Sequence, residues 1–97
     1  MERERTGDVK PGCRAQIAVL SWLINADPDA PVNYLLRGEE WLACGHTHNA
    51  RKDFARARAL AAQAYQTSAW GYIYQSYIDR ADAGLRQCSQ VPSGSCT

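Results

Sequence analysis

Residues 31–64 decide the fold: Pro31-Val32-Asn33-Tyr34-Leu35-Leu36-Arg37-Gly38-Glu39-Glu40-Trp41-Leu42-Ala43-Cys44-Gly45-His46-Thr47-His48-Asn49-Ala50-Arg51-Lys52-Asp53-Phe54-Ala55-Arg56-Ala57-Arg58-Ala59-Leu60-Ala61-Ala62-Gln63-Ala64. Apolar side chains recur there at spacings of three and four, on both sides of one glycine. Tyr34, Leu35, Gly38, Trp41 and Leu42 share a helical face, with Glu39 and Glu40 turned outward. Pro31 suits the first turn of that helix, where its missing N–H costs nothing. Gly45 suits the end, because helices often close on a residue at positive φ. Thr47 or Asn49 is a candidate cap for the next helix. Its stripe is Ala50, Phe54, Ala57, Leu60, Ala61 and Ala64. So many alanines on one face imply close helix–helix approach. Two helices across so short a turn must run antiparallel.

The same reading extends outward. Cys13 to Asn25 contains no Gly or Pro, and Ile17, Leu20, Leu23 and Ile24 fall at helical spacing. Val19 and Trp22 are apolar on another side, so this helix needs cover on more than one face. Pro28 and Pro31 then break the chain. On the far side, Thr67-Ser68 offers a cap. Trp70, Ile73, Tyr74, Tyr77, Ile78, Ala81 and Leu85 follow as an amphipathic stripe, with Trp70, Tyr74 and Tyr77 expected in the core. The sequence predicts an all-α chain of about four helices, near 13–25, 31–44, 49–65 and 68–87, packed as antiparallel helical hairpins. Residues 1–12 read as a flexible arm, 13–87 as one helical domain and 88–97 as an irregular tail.

Composition bounds the use of such a chain. Ninety-seven residues allow one domain. Eleven basic against ten acidic side chains leave a net charge of +1, which argues against a dedicated nucleic-acid binder. No run approaches the roughly 18–20 apolar residues that a membrane helix needs. The mixed-charge start and the short run Ile17–Ile24 make a poor signal peptide. The expected compartment is therefore cytoplasmic, or periplasmic or secreted if the cysteines pair.

Self-comparison adds a repeat. Tyr34-x2-Arg37-Gly38-x2-Trp41 is echoed 36 residues later by Trp70-x2-Ile73-Tyr74-x2-Tyr77, and Leu20 and Leu23 precede Phe54 and Ala57 by 34. At these residues the chain resembles the tetratricopeptide repeat (TPR) family, helical pairs of about 34 residues with W-x2-L-G-x2-Y in the first helix and A-x3-F in the second. Residues 31–64 resemble one full unit: Tyr34, Gly38 and Trp41 take the aromatic, Gly and aromatic places, and Ala50-x3-Phe54-x2-Ala57 the second helix. Arg37 departs from the usual Leu and Ala62 from the usual Pro. The flanks resemble two half repeats, with bulky Tyr74 where a small residue would admit a further helix. The resemblance implies a short TPR-like α-solenoid that binds protein or peptide and does no chemistry. The family's carboxylate clamp is not carried over, since helix two offers only Asn33 and Arg37 toward it.

Four cysteines permit three full pairings. Cys13 opens helix one and Cys44 closes helix two, so an antiparallel hairpin brings them side by side at its open end. Cys88 and Cys96 bracket a short segment with Pro92 and Gly94. The expected pairs are Cys13–Cys44 and Cys88–Cys96. Cys44, His46 and His48 are three potential metal ligands within five residues, but a structural zinc site needs four and no second cluster is legible. No metal or cofactor is expected, and the two histidines read as solvent-exposed turn residues.

No Ser-His-Asp pattern, phosphate loop or paired carboxylates appear, so the chain does not read as an enzyme. It reads as a non-catalytic protein–protein interaction module, a small adaptor or assembly subunit. The alternative is a disulfide-stapled periplasmic or secreted inhibitor or immunity-type binding protein. The candidate protein-binding residues are Val19, Trp22 and Ile24, which leave helix one apolar beyond the side helix two can cover, and Tyr72, which lies off the helix-four stripe. A homodimer through the first helix is the simplest remedy for that apolar face. Arg51, Lys52, Arg56 and Arg58 form a basic strip that could meet an acidic partner, though a solvated face is the ordinary meaning of such a strip.

Overall fold

A computed structural model describes residues 11–90 of the chain. They form four helices: α1 (Pro11–Ala26), α2 (Pro31–Ala43), α3 (Thr47–Thr67) and α4 (Gly71–Gln90). No strand occurs among the described residues, and none of the helices is long and apolar enough to cross a membrane. Residues 11 and 12, expected in the arm at 1–12, already belong to α1, while residues 1–10 and the tail from residue 91 lie outside the described residues.

Each turn follows from its residues. Pro31 stands in the first turn of α2 behind an extended Ala30. The end of α2 is a Schellman motif. Gly45 adopts φ 86°, its N–H donates to the Leu42 carbonyl at 3.1 Å, and the His46 N–H donates to the Trp41 carbonyl at 2.9 Å. The same two residues make the apolar contact that accompanies this motif, for the His46 and Trp41 rings meet edge to face at 5.3 Å. The chain passes from that turn straight into α3, whose N-cap position is His46, with no capping hydrogen bond from its side chain. Thr47 and Asn49 are thus already helical, and neither is the cap that the sequence suggested. Ser68 does serve the last turn, its hydroxyl accepting from the Trp70 N–H at 2.9 Å.

α3 packs extensively on both α2 and α4, α4 also reaches α2, and α1 touches chiefly α2. These contacts are compatible with hairpins stacked as a short solenoid. The core is Leu35 from α2, Ala50, Phe54 and Ala57 from α3, and Ala81 and Cys88 from α4. Tyr34, Trp41, Leu42, Tyr77 and Leu85 pack around it. Phe54 is fully buried, as the stripe predicts, whereas Trp41 is half-buried beneath His46.

Two glycines admit the Phe54 ring. A Cβ on Gly38 of α2 would stand 2.9 Å from it, and a Cβ on Gly84 of α4 would overlap it outright. One aromatic side chain on the central helix thus fills the notches of both its neighbours.

Two expectations about α4 are corrected. Trp70 is not core: it lies in the turn before the helix and is 59% exposed. The hydrogen bond that its N–H donates to the Ser68 hydroxyl holds it there, ahead of the first helical residue. The regular structure also does not stop at residue 87. Cys88 is helical and fully buried, its Sγ 3.7 Å from the Thr47 carbonyl oxygen at the start of α3. Tertiary burial there outweighs the weak helix propensity of Cys88 and Ser89.

The clasp around Phe54 is testable by chemical denaturation. Gly84→Ala should cost about 1–3 kcal/mol by overpacking, and Phe54→Ala about 3–5 kcal/mol by emptying the core. In a Phe54→Leu background the Gly84→Ala penalty should shrink, because the shorter side chain leaves room for the methyl. Equal penalties in both backgrounds would show that ring and glycine are not in contact.

Candidate protein-interaction site

α1 runs against α2, and Cys13 meets Cys44 in a disulfide at the open end of that hairpin, with Cα atoms 6.3 Å apart. This is the pairing the hairpin geometry predicts. The other expected pair, Cys88–Cys96, involves Cys96, which lies outside the described residues.

The disulfide fixes which way α1 faces. Cys13, Ile17, Leu20 and Ile24 fall three and four apart and so line the side toward α2. Trp22 falls on the opposite side and Val19 on the flank beside α2, and both stay exposed, at 67% and 55%. Ile24 is therefore removed from the candidate binding residues. It is buried within its own chain, because it shares the register of Ile17 and Leu20 rather than that of Trp22. Beside Val19, Leu36 of α2 is also exposed, and the two join Gln16, Leu20, Glu39 and Glu40 in a shallow groove of about 320 Å³.

A polar clamp ties α1 and α3 to α2. The Arg37 guanidinium donates from Nε and Nη2 to the two Asp53 carboxylate oxygens at 2.7 and 2.9 Å, and from Nη1 to the Ser21 hydroxyl at 2.9 Å. Asp53 is buried, while the Arg37 side chain keeps 23% exposure. Its hydrogen bond to Asp53 raises the Arg37 pKa further, against the opposing effect of burial. The sequence reading takes Arg37 as a departure from Leu and as one of two residues offered toward a carboxylate clamp, and Asp53 as a gap in a basic strip; neither reading joins the two. The available signal was position: each charge stands beside a core residue, Gly38 and Phe54.

The basic strip proves to be several separate contacts. Arg58 pairs with Asp82 of α4 at 2.7 Å, and the Arg56 guanidinium lies 5.9 Å from the centroid of the Tyr34 ring. Lys52 is exposed, and Arg51 is half-buried with partners of its own. Arg51 and Arg58 stand seven apart and share one side of α3. Lys52 and Arg56, four apart, share another. A second apolar patch does form at the α3–α4 turn. Tyr72 is 69% exposed, and its ring lies 6.2 Å from that of Trp70. Tyr65, also exposed, lies close against Gly71, which stands between them in sequence.

The turn cluster Cys44, His46 and His48 is not assembled. His46 is turned onto Trp41, so it is half-buried rather than solvent-exposed, while His48 faces solvent. The donor atoms brought within 4.8 Å of one another are instead those of Cys13, Glu40 and Cys44.

Two outcomes follow for stability. The disulfide closes a loop of sequence separation 31, and its reduction should cost about 3–4 kcal/mol, read as a fall in melting temperature with helix content at 25 °C retained. Asp53→Ala should cost about 2–3 kcal/mol, since it strands a partly buried guanidinium. In a double-mutant cycle Arg37→Leu with Asp53→Leu should recover much of the loss of either single change, and simple additivity would show the clamp to be energetically idle.

Comparison with known protein families, with curated proteins and with solved structures finds no match for this chain, so the repeat resemblance rests on its own residues.

Proposed function

We propose that this chain is a non-catalytic protein–protein interaction module, a short TPR-like stack of helical hairpins serving as an adaptor or assembly subunit. One observation carries the reading: α1, the end helix, is covered chiefly by α2 and leaves Trp22 bare on its far side and Val19 bare on its flank. Burying one large apolar side chain is worth roughly 1.5–3 kcal/mol, and Trp is among the residues that most often anchor interfaces. The disulfide and the Arg37–Ser21 bond hold α1 in register, so the face is presented by a rigid element. Tyr72 and Trp70 at the α3–α4 turn make a smaller second patch. A near-neutral chain whose arginines engage Asp53, Asp82 and Tyr34 favours an apolar contact over an acidic partner.

A second copy of the chain is the simplest partner, meeting Trp22 with Trp22 across a two-fold axis. The Cys13–Cys44 pair also supports a second reading, a stapled binding protein of an oxidising compartment, where such bonds persist. Counting thiols after trapping the protein in its native source separates the two: a paired Cys13–Cys44 favours the stapled binder, and reduced thiols favour the cytoplasmic adaptor.

Trp22→Glu is the direct test of the face. By light scattering the wild type should be a dimer at micromolar concentration and the variant a soluble monomer with unchanged helix content. A wild type that stays monomeric at high micromolar concentration rejects the homodimer. A partner captured from the native source equally well by Trp22→Glu and wild type rejects the α1 face altogether.

A further inference from the structure

We infer that, once its disulfide is reduced, the open end of the first hairpin is a divalent-metal site formed by Cys13, Glu40 and Cys44, suited to zinc. The site stands on three residues from two helices. Glu40 and Cys44 are four apart at the carboxyl end of α2, so their side chains lie one above the other, and Glu40 Oε2 is 3.7 Å from Cys44 Sγ. Cys13 reaches them from the first turn of α1. The three donor atoms lie within 4.8 Å of one another, and all three residues are half-buried.

That spacing fits the chemistry. Zinc bonds of about 2.3 Å to sulfur and 2.0–2.2 Å to carboxylate oxygen, at tetrahedral angles, put neighbouring ligand atoms about 3.5–4 Å apart. When the S–S bond opens, the sulfurs need to separate only to about that distance, which side-chain rotation supplies while the helices stay in place. Two thiolates and one carboxylate outweigh the charge of the ion by one, so the loaded site keeps a net negative charge and stays half-exposed to water, which solvates it. The carboxyl end of α2, with its partial negative charge, favours a cation there. The amino-terminal turn of α1 favours a thiolate at Cys13. Three protein donors leave the fourth position to water, so the ion remains exchangeable. The histidines of the neighbouring turn are not needed, and His46 is already occupied by Trp41.

The steps balance. A dithiol reductant delivers two electrons and two protons to the Cys13–Cys44 bond, leaving two thiols, and itself becomes a disulfide. A divalent ion then takes both sulfurs as thiolates and releases two protons to solvent, with Glu40 adding its ionised carboxylate. Oxidation to the disulfide expels the ion. Metal binding and the disulfide are thus alternative states of the same two sulfurs.

The test uses the full chain, oxidised and fully reduced under anaerobic conditions, titrated with Zn2+ against a chromophoric chelator and with Co2+ by absorbance. The reduced protein should bind one ion per chain, with Co2+ bands typical of tetrahedral coordination by two thiolates. The oxidised protein should bind none at this site. Cys13→Ser and Cys44→Ser should each abolish the sulfur-to-cobalt band. Glu40→Gln, an exchange at a half-buried position that keeps size and shape, should weaken Zn2+ binding on the order of tenfold or more with helix content intact. Cys88→Ala combined with Cys96→Ser should leave the affinity unchanged. The inference is overturned if the reduced wild type binds Zn2+ no more tightly than Cys44→Ser. It is equally overturned if Glu40→Gln matches wild type, or if removing Cys88 and Cys96 removes the binding.

Discussion

The Phe54 ring sets the geometry of the stack. It is fully buried on α3 and lies against Gly38 of α2 and Gly84 of α4, at positions where a methyl group on either would crowd it. The distance between packed helix axes depends on the side chains at the contact, and a glycine facing a ring leaves the space the ring needs without pushing the axes apart. A ring held between two glycines therefore fixes the spacing and rotation of three helices at once. Around it, Ala50, Ala57 and Ala81 are small residues that allow short contacts, and Leu35 and Cys88 complete the buried cluster. α2 and α4 touch each other as well as α3, a contact that would be difficult to keep if the Phe54 ring were replaced by several side chains of medium size.

α1 belongs to this structure on different terms. Among the described residues Ile24 is its one buried apolar residue, with Ile17, Leu20 and Leu23 half-buried, and the helix is held besides by a covalent bond at one end and by Arg37 on Ser21 along its length. Arg37 joins the attachment of α1 to the α2–α3 interface, because the same guanidinium engages buried Asp53. Replacing Arg37 with the Leu of the resembled repeat would offer α1 an apolar contact but would leave a buried carboxylate unpaired. A helix held by a disulfide and a polar clamp need not commit every apolar side chain to its own chain. That leaves Val19 and Trp22 available on the outside.

How much of this is legible in the sequence depends on the range of the interaction. The four helices, the role of Phe54 and the Cys13–Cys44 pair are legible because each rests on periodicity or on the length of one short turn. Gly84 is not: in Ala81-Asp82-Ala83-Gly84-Leu85 it reads as a weak helix residue until the Phe54 ring arrives from another helix. Arg37 and Asp53 are sixteen residues apart and read as two surface charges until the hairpin closes. Trp70 reads as core because the stripe continues one residue past the helix start, where the Ser68 turn sets the backbone on another path. Cys88 reads as tail because local propensity says nothing of the space beside Thr47. Ile24 reads as exposed because an all-round apolar helix offers a binary pattern too little contrast. The basic residues of α3 read as one strip because they are adjacent in sequence, although they are not adjacent on the helix surface.

The clasp at the open end of the first hairpin has a consequence for the exposed face. A disulfide between Cys13 and Cys44 and a metal ion shared by the same sulfurs both close the loop that begins on α1 and ends on α2. They differ in how the link is made, whereas the register of the helices is set by Ile24, the Arg37–Ser21 bond and the sulfurs together. The presentation of Trp22 then depends on whether the end is linked at all rather than on which link is present. Only the reduced, metal-free chain lacks the link. In that state α1 retains Ser21 and Ile24 near its middle and far end, so the first turns around Cys13 are the part with least to hold them. Val19 lies between that loosened end and the clamp, while Trp22 stands next to Ser21. A partner that reads Val19 and Gln16 would therefore sense the state of the sulfurs more than one anchored on Trp22 alone.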